Sequence, residues 1–296
     1  MAVLNYATQY SQALAQAFPY VLNYGDLYAT PNNGRYKVTG AKTIEIPIVS
    51  TTGRVDGDRD TITLATRNFD NSWEPKVLTN HRKWSTLAHP MDIDQTNYVA
   101  SISNITQVYN QEQKFPEMDA YTVSKIFADW VALGKAANTT VLTSANVLTV
   151  FDQLMQAMTE KRVPGTGRIL YVTPAVDTLI KNATAVVRNV NVQNGGETWS
   201  RVVSNIDQVK LVVVPPDLMK TLYNFTSGWA AAGTAKQINM FLVHPLAVIT
   251  PVNYQFAQLD APSAMTEGKW VYFEEAFEDV FILNKKADAV AFNTEA

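Results

Sequence analysis

The chain has 296 residues, of which 47% are hydrophobic and 17% are charged, and its formal net charge is −3. The hydrophobic content excludes wholesale disorder, whereas the charged content lies below the roughly 25% of an average soluble domain, which predicts that other chains cover part of the surface. The acidic balance argues against a nucleic-acid-binding module. The absence of cysteine excludes disulfides, thiolate nucleophiles and cysteine-ligated metals.

The sequence shows no targeting or membrane-spanning segment. The first basic residue is Arg35, so the basic start of a secretory signal is missing. No apolar run approaches the roughly 18 residues that a membrane span needs. We therefore expect a soluble chain that is made in the cytoplasm and has no membrane partner.

The N-terminal segment, residues 1–25, carries no charged side chain. Its larger apolar residues recur with a period of about 3.6, which predicts an amphipathic helix with a neutral polar face. These residues are Val3, Tyr6, Tyr10, Leu14, Phe18 and Val21. Two interpretations stay open: the helix packs on its own domain, or it is an arm that packs on a neighbouring subunit.

The next segment, 42–90, is predicted to form a long hairpin that projects from the body. Alternation in its first strand places Ile44, Ile46 and Ile48 on one face. Pro47 cannot donate a backbone hydrogen bond, which restricts this strand to a sheet edge or a two-stranded ribbon.

The tip of this hairpin is predicted near Thr51–Asn71, where turn-forming and charged residues dominate. A second extended run follows over 73–88 and returns to the body. Because an isolated ribbon is only marginally stable, we expect the tip to be mobile and to contact another subunit.

The rest of the chain combines helices and strands. A helix is predicted from Phe115, with Pro116 in its first turn, to about residue 136, and a second from an N-cap at Ser144 to Arg162. The other predicted elements are a strand over 168–173, a helix over 175–182 capped by Thr173, and strands over 210–214, 237–243, 246–259, 269–275, 277–284 and 287–292. Helices and strands are partly segregated, so the predicted class is α+β.

Two acidic motifs were considered as metal or catalytic sites. The turn 55–60 lacks the glycine and the glutamate of a calcium-binding loop, because Thr61 and Arg67 occupy those positions. Asp92 and Asp94 would share one face of an extended segment, but no histidine or third acid stands at ligand spacing. Both motifs therefore favour a structural interpretation.

Two further motifs also favour structure over chemistry. The sequence Gly165-Thr166-Gly167 precedes a strand, so it is typical of a tight turn and not of a phosphate-binding loop. His244 stands at a strand end beside Pro245, where a lone histidine fits a structural role. We predict no catalytic, cofactor-binding or metal-ligating residues, no cofactor and no enzymatic activity, and by elimination a structural assembly protein.

The order of these segments resembles tailed-bacteriophage major capsid proteins of the Hong Kong 97 type, in particular short forms from phages of Gram-positive bacteria. Lys42–Trp73 resembles the extended loop, and Phe115–Ile126 resembles the start of the long spine helix of the peripheral domain. Ile169–Leu179 resembles the strand–helix unit of the axial domain. Ile238–Val248 and Phe277–Lys285 resemble the closing strands.

The resemblance implies a division of the chain. Residues 1–34 would form an N-terminal arm and 35–90 the extended hairpin loop. The peripheral domain would comprise 91–140 and 246–283, and the axial domain 141–245 and 284–296.

The resemblance also implies function. The chain would build the icosahedral head shell of a tailed phage from pentamers and hexamers and enclose double-stranded DNA, with assembly in the host cytoplasm and a final place in the virion. Nothing before Tyr20 resembles the long scaffolding segment of some relatives, so scaffolding would be a separate protein. A portal is a further implied partner, and decoration proteins stay open.

Two alternatives remain beside this interpretation. An encapsulin-type nanocompartment shares the fold and would carry a cargo-docking pocket, whereas an enzyme would need a convergent polar site. Some relatives cross-link a lysine to an asparagine, but nothing in the sequence singles out Lys42 or Lys76 for that role. For DNA we expect only weak, non-specific contact, because 24 basic residues face 27 acidic ones and the densest basic cluster is His81-Arg82-Lys83.

Overall fold

The computed structural model of the chain describes residues 20–40, 42–54, 56, 67–96, 100–183 and 205–296. Its helices are α1 (Gly25–Tyr28), α2 (Pro90–Gln95), α3 (Ile102–Tyr109), α4 (Phe115–Ala132), α5 (Val147–Glu160) and α6 (Pro174–Lys181). Its strands are β1 (Lys37–Gly40), β2 (Thr43–Thr51), β3 (Phe69–Val77), β4 (His81–Ala88), β5 (Ile169–Val172), β6 (Asn205–Ile206), β7 (Val209–Val213), β8 (Tyr223–Asn224), β9 (Ala230–Ala231), β10 (Ile238–Val243), β11 (Val248–Ile249), β12 (Val252–Asp260), β13 (Trp270–Glu278), β14 (Phe281–Ile282) and β15 (Val290–Thr294). Most of the helix predicted over 1–25, and much of the predicted hairpin tip, lie outside the described residues.

The main core forms on both faces of a five-stranded sheet with the order β15-β10-β5-β7-β6. The neighbours β5 and β7 run parallel and the other pairs run antiparallel. Because side chains alternate along a strand, Leu170 and Val172 of β5 pack with α5 and α6 on one face. Ile169 and Tyr171 pack on the other face with α4 and with Tyr24, where the chain enters the body.

A second sheet, with the order β12-β13-β4, lies beside the helical run from α3 to α4. Residues 110–114 join these two helices through a π-helical turn, in which each backbone bond spans one residue more than in an α-helix. The indole of Trp84 on β4 stacks on the ring of Tyr109 at the end of α3, with ring centroids 3.8 Å apart. Lys114 Nζ lies 3.1 Å from Glu274 Oε1 on β13, so the π-turn is tied to the sheet at both ends.

The third sheet, β1-β2-β3, forms a ribbon, and it corrects the prediction of one hairpin over 42–90. Strand β2 pairs with β3 from Thr43 to Thr51, but β4 pairs with β13 in the second sheet. The break has a local cause: Leu78 is buried, and Thr79 donates to Asp279 Oδ2 from its backbone nitrogen at 2.7 Å and from its hydroxyl at 3.1 Å. The ribbon therefore ends at residue 77, where the chain is pinned to the body.

The prediction for Pro47 is confirmed. Strand β1 pairs with β2 only over Thr43–Glu45, so at Pro47 the ribbon is two-stranded and Trp73 stands opposite. The two long helices are also confirmed as α4 and α5, with α4 ending at Ala132 rather than near 136, because Leu133 leaves the helical conformation and Gly134 follows at φ +77°.

Several local predictions are wrong in detail. Asp92 and Asp94 lie in α2, where residues two apart point to different sides, so they do not share a face. The N-cap position of α5 is Asn146, not Ser144, and the Asn146 side chain bonds to the preceding loop. Thr173 does precede α6, but its side chain makes no capping hydrogen bond.

The closing strands are shorter than predicted, because 3-10 turns interrupt them. Pro245–Ala247 forms such a turn before β11, and Asn284–Ala289 forms another between β14 and β15. Among the described residues, no helix is both long and apolar enough to cross a membrane.

Candidate assembly surfaces

The base of the ribbon is anchored in a small core of its own. The inward side chains Ile44 and Ile46 pack with Leu78 and with Ile249 and Phe281, which come from the short β11–β14 sheet. The isoleucine alternation seen in the sequence therefore marks the face of β2 that holds the ribbon to the body.

The opposite face of the ribbon is apolar and exposed. We call it the ribbon stripe, and it comprises Pro47, Val49, Phe69, Trp73 and Val77. Trp73 is 48% exposed and Val49 is 64% exposed. A contiguous apolar surface of this kind on a projecting element is typical of a protein–protein contact site. This stripe was not predicted from the sequence, although the alternation in β2 that points Ile44, Ile46 and Ile48 to one face also points Pro47 and Val49 to the other.

Lys76 joins the ribbon to the rest of the same chain. Its Nζ donates a hydrogen bond to Asn284 Oδ1 at 2.9 Å and lies 2.8 Å from Glu74 Oε1. Lys42 lies elsewhere, with its Nζ 5.5 Å from the centre of the Phe277 ring. The contacts of Lys76 with Asn284 and of Lys42 with Phe277 lie within one chain and hold the ribbon base against the body.

The outer face of the second sheet carries aromatic side chains. Tyr254 is 47% exposed and Phe256 is 38% exposed, and the Phe256 ring lies 6.2 Å from that of Phe273. His81 stacks on Phe277 with 4.0 Å between ring centres and contacts Glu275. This face combines exposed aromatic rings with the charged side chains of Glu275 and Lys83, which stand in the same row as Phe256, and it is separate from the ribbon stripe.

The basic cluster His81-Arg82-Lys83 is divided by the strand on which it lies. Because side chains alternate along β4, Arg82 points inward, forms an ion pair with Glu117 on α4, and donates to the carbonyl oxygen of Phe225 at 2.6 Å. His81 is engaged by Glu275. The cluster thus acts mainly as a brace between β4, α4 and the β8–β9 hairpin, and not as a basic patch.

A buried carboxylate on α4 fixes residues 20–24 against the body. Asp119 on α4 is fully buried; it accepts hydrogen bonds from the backbone nitrogens of Asn23 at 2.8 Å and Tyr24 at 3.2 Å, and from the Tyr20 hydroxyl. Burial raises the pKa of Asp119, and these hydrogen bonds oppose the rise. Burial likewise raises the pKa of Glu278 at the end of β13.

His244 and the Gly165–Gly167 turn, the other motifs noted in the sequence, have structural roles in the fold. His244 is buried: its Nδ1 accepts from the backbone nitrogen of Leu246 at 3.2 Å, and its Nε2 lies 3.1 Å from the carbonyl oxygen of Thr166. Gly167, in the adjacent turn, has φ +81°, which favours glycine. Within the described ranges, no group of three or more His, Asp or Glu side chains is placed to hold a metal ion.

A cleft of about 240 Å³ lies between the ribbon base and the turn at Asn284–Ala289. Arg35, Glu74 and Lys286 are among its charged residues, and Ile46 and Ile249 lie on its apolar side. Its lining residues include no cysteine, serine or histidine that would serve as a nucleophile or base. The surfaces that stand out on this molecule are therefore the ribbon stripe and the outer face of the second sheet, and their geometry suits contact with other protein chains.

Comparison with solved structures identifies the fold. The mature capsid of bacteriophage PhiM1 matches with a TM-score of 0.69 at 12% identity, covering 99% of this chain and 92% of that chain. The capsid of cyanophage P-SCSP1u matches with a TM-score of 0.66 at 11% identity, covering 98% and 93%. A structure from Mycobacterium phage Che8 matches with a TM-score of 0.62 at 10% identity, covering 99% and 98%. No protein-family model and no curated protein matches the sequence. The predicted α+β fold of the Hong Kong 97 type is confirmed.

Proposed function

We propose that this chain is the major capsid protein of a tailed phage and that it assembles, as pentamers and hexamers, into an icosahedral shell around double-stranded DNA. The observation that carries the proposal is the extent of the fold match, which spans 99% of this chain and 92% of the PhiM1 capsid chain. The match is to a chain from a mature capsid and runs through the five-stranded sheet and the second sheet alike, so it supports the same use of the fold here, as an analogy that the experiment below tests.

The exposed apolar surfaces support the same proposal. The ribbon stripe projects away from the core that holds its base, and the outer face of the second sheet is aromatic and half exposed. An isolated monomer would leave both faces in water, whereas a shell would cover them with neighbouring copies. We infer contacts with several neighbours whose sum exceeds the roughly 800 Å² per partner of a standard interface.

Sedimentation of the purified chain, followed by electron microscopy, tests the proposal. We expect rings or closed particles, and we expect deletion of residues 52–70 to leave a folded body that no longer forms regular shells. A chain that stays monomeric at high concentration would contradict the proposal. If the deletion unfolds the body, the ribbon belongs to the core and not to an assembly element.

The proposal includes partners beyond the chain itself. A separate scaffolding protein and a portal would take part in assembly in the host cytoplasm, and the assembled chain would reside in the virion. On the resemblance noted in the sequence, we propose a host among the Gram-positive bacteria. The contents of native particles distinguish this proposal from the nanocompartment alternative, because a nanocompartment would hold cargo protein instead of DNA.

Contact with DNA is proposed to be weak and non-specific. Arg82 is engaged with Glu117 and His81 with Glu275, so the densest basic cluster offers little free charge to phosphate. In a filter-binding titration at physiological salt, we expect no submicromolar affinity of disassembled subunits for duplex DNA and no preference for one sequence. Tight or sequence-specific binding would contradict enclosure as the means of holding the genome.

A further inference from the structure

Strand β12 leaves one edge of the second sheet open. It pairs with β13 on one side, and no other described strand forms a backbone ladder with it. Only its first two residues have hydrogen bonds to the region of β1: the Tyr36 hydroxyl donates to the Val252 carbonyl oxygen and the Asn253 side chain donates to the Gly40 carbonyl oxygen. Every residue of β12 except Asn253 is exposed. An open edge presents a row of backbone donors and acceptors, and an extended partner satisfies them best.

The composition of β12 makes this edge unusual. From Val252 to Leu259 it contains no charged residue and no proline, and its first charge is Asp260. Proteins usually protect a long free edge with lysine, proline, a bulge or shortness, because such an edge otherwise recruits another strand. Beyond the register shift near Val252, the stretch Tyr254–Asp260 has none of these protections.

The other longer free edges of the described strands are protected, and β2, which β1 leaves unpaired beyond Glu45, contains Pro47. Strand β3 contains Pro75 and three charged residues, and β4 begins with His81-Arg82-Lys83. Strands β1 and β6 have four and two residues. The edge of β15 is bridged by Asn138, whose backbone bonds to Phe292 and Thr294. Within the described part of the chain, β12 is therefore the long edge that is compatible with strand addition, and a second copy offers the same edge in return.

We propose that β12 pairs antiparallel with β12 of a second copy about a two-fold axis that passes near Phe256. The inference rests on the proposed function, in that it adds a two-fold contact to a chain that assembles. A two-fold contact uses the same patch on both partners. In this register Phe256 faces Phe256 of the second copy, and Tyr254 faces Gln258.

The charges agree with this register. Each Asp260 stands opposite an uncharged Val252, and the two Asp260 side chains are separated by eight strand positions, about 27 Å. The aromatic rings on the outer face also benefit, because Phe256, already beside Phe273, gains an aromatic partner across the new strand pair. The pairing would join two three-stranded sheets into one sheet of six strands.

Cysteine scanning tests the register directly, because the chain has no cysteine of its own. We would introduce Tyr254→Cys, Phe256→Cys and Gln258→Cys singly, with Ser85→Cys on the opposite edge strand as the matched control. Purified full-length chain, both assembled and unassembled, would be treated with an oxidant and with a short bismaleimide. We expect a cross-linked dimer chiefly from Phe256→Cys, and a cross-link between co-expressed Tyr254→Cys and Gln258→Cys chains. No dimer at Phe256→Cys, or an equal yield at Ser85→Cys, would overturn the proposal.

Charge complementation separates pairing from folding. Phe256→Lys or Phe256→Glu alone would place like charges opposite each other, so we expect at least a tenfold loss of cross-linked dimer in a Tyr254→Cys and Gln258→Cys background. Mixing the two charge variants should restore it, with a cooperative unfolding transition kept by each variant. Because Phe256 stands opposite Glu275 of its own chain, Phe256→Glu alone should also lower the Tm modestly. Unaltered pairing in the single variants, or no restoration on mixing, would overturn the proposal. Normal particles without the cross-link would refute the pairing and leave the capsid proposal standing, whereas dimers without particles would do the reverse.

Discussion

The five-stranded sheet and the ribbon bury their side chains in opposite ways. All four residues of β5 and five of the six residues of β10 are buried, whereas none of the nine residues of β3 is buried. Both regions nevertheless have sequences rich in apolar residues. The five-stranded sheet completes its core within one chain, whereas the ribbon keeps exposed apolar side chains that a single copy cannot cover. Exposure, and not hydrophobicity alone, is what separates the folding part of this sequence from the part available for assembly.

The largest effect should come from Arg168, inside the self-sufficient region. Arg168 is only 1% exposed, and its guanidinium donates to the carbonyl oxygens of Met155, Val163 and Pro164 near the end of α5. Arg168→Met would remove the hydrogen bonds of a buried charged donor to three carbonyl oxygens, so we expect a loss of about 3 kcal/mol of unfolding free energy. Urea denaturation would measure it, with Lys161→Met at the exposed end of α5 as the control. A loss below about 1 kcal/mol would show that the end of α5 does not depend on this side chain.

Trp73 tests the ribbon, the region whose apolar side chains are exposed. Trp73→Gln on the ribbon stripe should change the free energy of unfolding by less than about 1 kcal/mol, because the side chain is half exposed. Association should weaken by roughly tenfold or more, as for a buried aromatic anchor in an interface. Sedimentation of the variant beside Ser72→Gln, on the opposite ribbon face, measures the effect. Equal assembly of both variants would mean that the stripe is not a contact surface.

The pH dependence of stability should reflect Glu278. Its pKa is raised in the folded chain because burial disfavours the charged form. The folded state then holds the proton more tightly than the unfolded state, so this group makes stability fall as the pH rises from its ordinary value near 4.5 through the raised pKa.

The variant Glu278→Gln isolates this contribution. It cannot ionise, so it should be more stable than the unmodified chain at neutral pH, and the difference in Tm should shrink towards pH 4. Glu112→Gln, on the π-turn, provides a control. A difference that is constant across the pH range would exclude ionisation of Glu278 as its cause.

The smallest effect is expected at Lys76, which joins the two regions. Its contacts with Asn284 and Glu74 are at the surface, and such pairs contribute about 0–1 kcal/mol. Lys76→Met should therefore leave the unfolding transition almost unchanged and increase hydrogen exchange of the ribbon backbone. Exchange identical to that of the unmodified chain would show that the apolar base alone fixes the ribbon.

The parts that were predictable from the sequence are those governed by local periodicity. The alternation of Ile44, Ile46 and Ile48 marks the face that anchors the ribbon, and the stripe that begins near Phe115 marks the long helix. Pro47 also predicts a two-stranded segment, because it lacks the backbone N–H that would donate to a further strand.

The parts that were not predictable depend on contacts between distant residues. The end of the ribbon at residue 77 is set by Thr79 and Asp279, which are 200 positions apart, and nothing near Thr79 signals that bond. Arg168 differs in that its acceptors Pro164, Val163 and Met155 are 4, 5 and 13 residues away, but the sequence does not show that the turn after α5 brings their carbonyl oxygens together around one guanidinium. Asp119 likewise has a role only because the segment from Tyr20 to Tyr24 crosses α4.

The π-helical turn at residues 110–114 limits how the number of residues can change between α3 and α4. A π-turn accommodates one extra residue, and each residue rotates a helix by about 100°. The extra residue sets the phase between α3, where Tyr109 meets Trp84, and α4, where Val123 and Ile126 meet the main core. Removing one residue here would give a regular helix whose two halves could not both face their partners. The length of residues 110–114 therefore sets the rotation between α3 and α4. We expect the fold to tolerate substitutions in this segment better than insertions or deletions.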